Sequence, residues 1–376
     1  MSVPPHPLDE YPIHQVPLSM REPASSDRNT YDRCIMHGLN RDGSVQFAIG
    51  LGVYPNLGVI DAYVVVRRGT NLRVVRASDA LIDDRLTQAV GPIRIDVVEP
   101  LQLLRVTCNA PELGLEVDVE YRAAFPGMME PRHVHHIDGK ILLDASRFVQ
   151  IGSWGGTVRV DGEEIRIDHD TWDGVRDRSW GIRPVGEKPG AGRPHEGALK
   201  EGFWWCWIPV RFKDFATFVI LHEDGDGERT LNTATKILPA GSPQQYVSLG
   251  FPDVDIRYES GTRYPVGASL DLTERTGRNR RKLTMEIEPL GALPLHIGLG
   301  YGAGTGDWSH GEWKGRGWVE GATYDLTDAA LDPKGGMADH AARVTFDGAV
   351  GYGIFEHSAR GRHDPSGFTD YSVMAP

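Results

Sequence analysis

The chain has 376 residues, 40 Lys and Arg against 52 Asp and Glu, and a formal net charge of −12. Its length exceeds an ordinary domain of about 150 residues and predicts two domains or one large β architecture. The acidic balance argues against sequence-independent nucleic-acid binding and adsorption to anionic membranes, which need basic surfaces, and no apolar run approaches the ~18 residues of a membrane span.

Residues 1–29 carry neither the basic start nor the apolar centre of a secretory signal, so they read as a loose cytoplasmic arm. Strands are predicted at Phe47 to Val53 and Ile60 to Val66. Ser78 to Val90 is the best helical candidate, with Ser78 as cap and Ala80, Leu81 and Leu86 as a weak apolar face. A strand follows at Ile93 to Val97. From Leu113 to Arg122, apolar and polar residues alternate with a period of two, the mark of a half-buried antiparallel strand. Val158 and Val160 join Ile165 and Ile167 through Asp161-Gly162, a strong hairpin signal. Pro184 to Gly197, rich in Pro and Gly, reads as a linker or lid. Further strands are expected at Phe215 to Leu221, Val254 to Tyr258, Leu270-Leu272 facing Leu283-Met285-Ile287, and Val344 to Phe355. The basic run Arg275 to Lys282 then forms a solvated hairpin tip. A faint repeat relates Phe47 to Arg68 and Trp204 to Asp224. Two antiparallel barrels or curled sheets fit this pattern, because closure removes exposed sheet edges.

Cys34, Cys108 and Cys206 lack paired spacing and read as buried thiols. Gly298 to Ala303 superficially matches a dinucleotide fingerprint, but the glycine-rich continuation cannot open the required helix. No phosphate-binding loop or Gly-x-Ser-x-Gly elbow is present, so no cofactor is expected.

Three clusters carry chemistry. Trp172 to Arg183 concentrates Trp172, Asp173, Arg176, Asp177, Arg178, Trp180 and Arg183 near mid-chain, which suits either a ligand pocket or a buried clamp. In Phe203-Trp204-Trp205-Cys206-Trp207, strand geometry would turn Trp204 to one side and Phe203, Trp205 and Trp207 to the other. With Trp308, Trp313 and Trp318 they suggest an aromatic pocket. Finally, His133 and His135 would share a strand face and could grip one metal ion if Glu130, His169 or His222 completed the set.

Gln150 to Gly156, Val160 to Glu163 and Gly174 to Arg183 together resemble the AttH-like and carotenoid 1,2-hydratase-like (hydroxyneurosporene synthase) superfamily. Tocopherol cyclase-like proteins and fungal lipocalin-like Diels-Alderases are more distant members. The resemblance implies an all-β chain of two tandem lipocalin-like barrels with few short helices, at 30–190 and 191–376. It also implies a pocket near their interface for polyene, terpenoid, steroid or polyketide ligands. Arg178 stands where many relatives carry His, which departs from that pattern.

The leading expectation is a cofactor-independent hydratase, cyclase or isomerase acting on a hydrophobic unsaturated molecule. Protonating an alkene needs a neutral carboxylic acid, and burial can supply one, with Asp177 and Asp173 as candidates. Arg176 and Arg178 would oppose that if they converged on Asp177, but neighbours along a strand alternate faces. Arg183 or Tyr54 could polarise a carbonyl. Trp172, Trp180, Trp204, Trp205, Arg176, His37 and His222 are candidate substrate contacts. The rival readings are a non-catalytic lipid or pigment carrier, and a metal-dependent oxygenase using His133 and His135. The partner in the leading reading is a small hydrophobic molecule, not nucleic acid or a membrane interior; oligomeric state is left open.

Overall fold

The computed structural model describes residues 4–5, 7–12, 23–137, 140–184, 202–301, 308–328, 330–331 and 336–376, so most of the expected linker lies outside the described residues. The first half forms β1 (Thr30–Asn40), β2 (Val45–Tyr54), β3 (Val59–Arg68), β4 (Asn71–Ala80), β5 (Gln88–Val90), β6 (Ile93–Glu99), β7 (Leu103–Ala110), β8 (Leu115–Ala123), β9 (Met128–Met129), β10 (His133–Ile137), β11 (Lys140–Val160), β12 (Glu163–Ile167) and β13 (Trp172–Ile182). The second half forms β14 (Phe203–Arg211), β15 (Ala216–Glu223), β16 (Arg229–Ile237), β17 (Tyr246–Ser248), β18 (Asp253–Tyr258), β19 (Pro265–Thr276), β20 (Asn279–Pro294), β21 (Trp318–Asp325), β22 (Ala338–Phe346) and β23 (Ala349–Arg360). Short 3-10 turns are the sole helical elements among the described residues, so the all-β lipocalin-like expectation holds.

One sheet runs β21-β4-β3-β2-β1-β13-β11-β8-β7-β6-β5, with β9, β10 and β12 also on β11; the other runs β17-β16-β15-β14-β23-β22-β20-β19-β18. Both curl. The second nearly closes on itself, because Leu249 bonds Ala234 of β16 through its N–H and Thr273 of β19 through its carbonyl. One strand crosses the division expected at 190/191: β21 pairs with β4 of the first sheet.

The Asp161-Gly162 turn is as expected, with φ of 52° and 84° closing the Val160–Glu163 hairpin. Ser78 to Val90 is not helical. Ser78 sits inside the β3–β4–β21 ladder, opposite Asp61 and Trp318. Asp84 then caps a turn by accepting from the Leu86 N–H and the Thr87 hydroxyl. The weak apolar face had no surface to bury, and Leu86 is 59% exposed.

Each barrel is filled by its own core, Ile49, Val64, Val119 and Trp154 in the first and Ile208, Val219, Met285 and Phe355 in the second. The barrels also pack outer face to outer face: Leu39, Val149, Ile151 and Val175 meet Trp205, Trp207, Phe218 and Ile354. Strands β1, β2 and β3 are buried on both faces along nearly their whole length, since Leu293, Leu295, Leu299 and Trp308 cover Ile35, Ala48, Tyr63 and Val65 on the outer face.

The N-terminal arm is not loose throughout. Glu10 is 1% exposed and ion-pairs with Arg176 inside the first barrel, while its Oε2 accepts the Leu101 N–H at 2.9 Å. Replacing Glu10 by Ala strands a buried guanidinium. Urea denaturation at pH 7 should then show a loss of roughly 3–5 kcal/mol, and an unchanged midpoint would refute a structural role for the arm.

Candidate active site between the barrels

Strand parity decides which side chains meet between the barrels. On β13 the even positions Trp172, Arg176 and Arg178 point into the first barrel, and the odd positions Asp173, Val175, Asp177 and Ser179 point toward the second. On β14, Trp204 turns into the second barrel while Phe203, Trp205 and Trp207 face the first, as the sequence predicts. Where the two outer faces do not fully meet, a cavity of about 460 Å³ remains. Ile35, Leu142, Leu143, Phe203, Trp205 and Met337 supply apolar wall, and Arg33, Arg147, Asp177, Arg183, Tyr301 and Glu356 supply polar groups.

Asp177 lies opposite Ile35 of β1 and accepts that residue's N–H at 3.3 Å. It keeps a little surface open to the cavity yet has no cation within ion-pair distance among the described residues. Burial raises its pKa to about 7; Glu130 and Glu356 add to the rise, and Arg147 and Arg33 oppose it through space. Arg176 and Arg178 do not neutralise it, being bound on the other face to Glu10 and Asp32. Asp173, the other candidate acid, is clamped by Arg41 at 3.0 Å and Arg211 at 3.1 Å.

Glu356 accepts the Trp205 indole N–H and faces Asp339 across the β22–β23 ladder. Burial raises the pKa of both carboxyls. Asp339 also lies 3.2 Å from His37 Nε2, whose pKa burial lowers to about 3. Glu130 is fixed by Arg147 at 2.8 Å and by the Trp207 indole at 2.9 Å.

His133, His135 and His222 gather on one wall, with His133 and His222 ring centroids 4.9 Å apart and His133 stacked on Trp205 at 6.0 Å. Burial lowers the His133 pKa to about 2 and that of His222 to about 4, so both are neutral. His133 and His135 share a face as expected. The carboxylate considered with them, Glu130, is spent on Arg147 and Trp207, and His169 bonds Ser153 at 3.0 Å away from the cavity. No group of three or more His, Cys, Asp or Glu among the described residues is arranged to hold a metal ion.

Of the candidate catalytic and substrate-contact residues, Asp177, Arg183, Trp205 and His222 line the cavity. Trp172 instead stacks on Phe47 at 5.8 Å in the first core, and Trp204 donates to the Tyr258 hydroxyl at 3.2 Å in the second. Tyr54 donates to Asp61 at 3.3 Å behind the wall. Arg176 is bound to Glu10, His37 sits beside Asp339, and Trp180 lies outside the lining. Sequence reasoning passed over Arg33, Arg147, Tyr301 and Glu356. For Arg147 and Glu356 a signal existed: each is a lone charge beside an apolar run, at Phe148-Val149 and Ile354-Phe355.

Several solved structures resemble the chain. Kievitone hydratase from Nectria haematococca matches at TM-score 0.48 and 14% identity over 96% of this chain and 95% of that one. CghA matches at TM-score 0.50 and 13% identity over 89% of each chain, and CghA with Sch210972 at TM-score 0.47 and 12% identity over 93% and 94%. At these identities the likeness to CghA is one of fold. No curated protein matches the sequence. A family model covers residues 6–369, and the chain therefore belongs to the family of unknown function DUF8625.

Proposed function

We propose that the protein is a cofactor-independent hydratase, cyclase or isomerase acting on a largely apolar, unsaturated small molecule held between the barrels. The observation that carries this reading is Asp177: a buried carboxyl that opens on a partly apolar cavity, has no ion-pair partner among the described residues, and has a pKa near 7. At neutral pH a large fraction of molecules then hold a carboxylic acid able to protonate an alkene.

In the first step the Asp177 proton would move to an alkene carbon, leaving the carboxylate and a cation on the neighbouring carbon. The face of Trp205, already under the Arg147 guanidinium at 5.1 Å, would line that cation's path. Capture by water would give hydration, capture by an internal nucleophile cyclisation, and loss of a proton isomerisation. In each case the proton set free returns the carboxylate to its acid form. Arg183 would act on a substrate carbonyl by electrostatic polarisation.

A panel of terpenoid, steroid and polyketide alkenes and enones, incubated in deuterated water, tests this reading. Hydration adds one water to the mass, and cyclisation or isomerisation leaves a solvent deuteron on carbon. Asp177→Asn should reduce turnover by about 10²–10⁴ while retaining substrate. Ligands bound without turnover, with equal affinity for both proteins, would identify a carrier instead. Because the acid form is the active one, kcat/KM should fall as pH rises through about 7.

The same group sets a stability profile. Its folded pKa of about 7 exceeds the ordinary value of 3.8, so the folded state holds the proton more tightly. The stability this provides is fully present below pH 3.8 and is lost as pH climbs to about 7. Thermal melts should therefore show Asp177→Asn more stable than the natural protein at pH 8, with the gain much reduced at pH 4. An equal gain at both would contradict the raised pKa.

A further inference from the structure

One part of the cavity wall holds more positive charge than its surroundings balance. Arg33 is 3% exposed, yet its guanidinium is held by neutral groups: Nη1 lies 3.0 Å from His310 Nδ1 and Nη2 donates to the Tyr301 hydroxyl at 3.0 Å. His310 Nε2 lies 2.6 Å from the Leu299 carbonyl and donates to it, which leaves Nδ1 as the acceptor. Beside it, the Arg183 guanidinium lies over the Tyr31 and Tyr301 rings, 5.4 Å from each centroid, with no hydrogen-bond acceptor among the described residues. Neither arginine has a carboxylate within ion-pair distance among the described residues. Asp61 and Asp177 act on Arg33 only through space, and burial lifts the pKa of both to about 7, so neither offers a full negative charge.

Burying a guanidinium without a counter-charge is costly, whereas a carboxylate bound by two guanidiniums forms strong charge-assisted hydrogen bonds. The Tyr301 hydroxyl accepts from Arg33 and so keeps its own proton to donate. Arg33, Arg183 and Tyr301 all line the cavity that also carries Trp205, Phe203 and Leu143.

Resting on the proposed reading of this cavity as a substrate site, we infer that the substrate is an apolar carboxylic acid whose carboxylate docks on Arg33 and Arg183. The anchor fixes one end of the molecule, its body extends along the apolar wall, and Asp177 faces the carbons between. Held in this way, a flexible substrate would present one alkene to the acid, which narrows the product outcome.

Calorimetric titration at pH 7.5 with 2-naphthylacetate and its neutral analogue 2-naphthylacetamide tests the anchor without knowledge of the substrate. The acid should bind the natural protein at least about tenfold more tightly than the amide. Arg183→Gln should abolish that preference by weakening the acid far more than the amide, and Arg183→Lys should restore part of it. Arg183 is half-buried at the end of β13, so its replacement spares both cores. Equal binding of acid and amide by the natural protein would overturn the anion site and leave the apolar substrate cavity intact. A preference that survives Arg183→Gln would overturn the assignment to this arginine pair. Failure of both probes to bind would overturn the cavity reading itself, and the anchor with it.

Discussion

Packing the outer face of one filled barrel against the outer face of another is the constraint on which this structure depends. A lipocalin-like barrel can hold a ligand in its interior, but here Trp154 and Tyr121 occupy one interior, Phe355 and Met285 the other. The cavity lined by Asp177 and Trp205 lies instead at the seam between the sheets. There β1, β11 and β13 meet β14, β15 and β23, and the seam is apolar enough to hold the halves together. The strand exchange of β21 onto β4 ties the halves through backbone hydrogen bonds as well.

Double burial has an electrostatic consequence. Any charged residue on the outer face of β1, β11 or β13 is removed from water when the second barrel docks, so it must be paired or must shift its pKa. Some groups follow the first course: Asp173 with Arg41 and Arg211, and Glu130 with Arg147 and Trp207. These pairs are rigid and span strands, which suits a structural clamp. Asp177, Arg33 and Arg183 have no opposite charge within ion-pair distance among the described residues, and all three line the same cavity. Imperfectly compensated groups that converge on a cavity are poor for stability and favourable for chemistry, which is why they carry the functional reading.

Much of the architecture was legible in the chain. Period-two alternation from Leu113 to Arg122 and the Asp161-Gly162 turn state local geometry directly, because side-chain direction and turn conformation are set by nearest neighbours. The parity of the tryptophan run was legible for the same reason: once it is a strand, Trp205 and Trp204 must part. The helix expected at Ser78 to Val90 failed because its propensity was weak and a distant strand, β21, claimed Ser78 for a ladder. Nothing in the local sequence announces a partner some 240 residues away.

The site divides along the same line. Sequence by itself determined that Asp177 stands on the opposite strand face from Arg176 and Arg178, so those two neighbours could not quench it. It also determined that the tryptophan run offers a ring to each side. Only the tertiary structure decided which face of each strand meets the other barrel, and hence that Asp177, Trp205 and Arg183 reach the cavity while Trp172, Trp204 and Arg176 are spent on cores and clamps. Parity is a local property of the backbone, but the choice between two faces depends on what packs against them. The convergence of Arg33, Tyr301 and Glu356 on one cavity comes from long-range docking that no window of sequence contains.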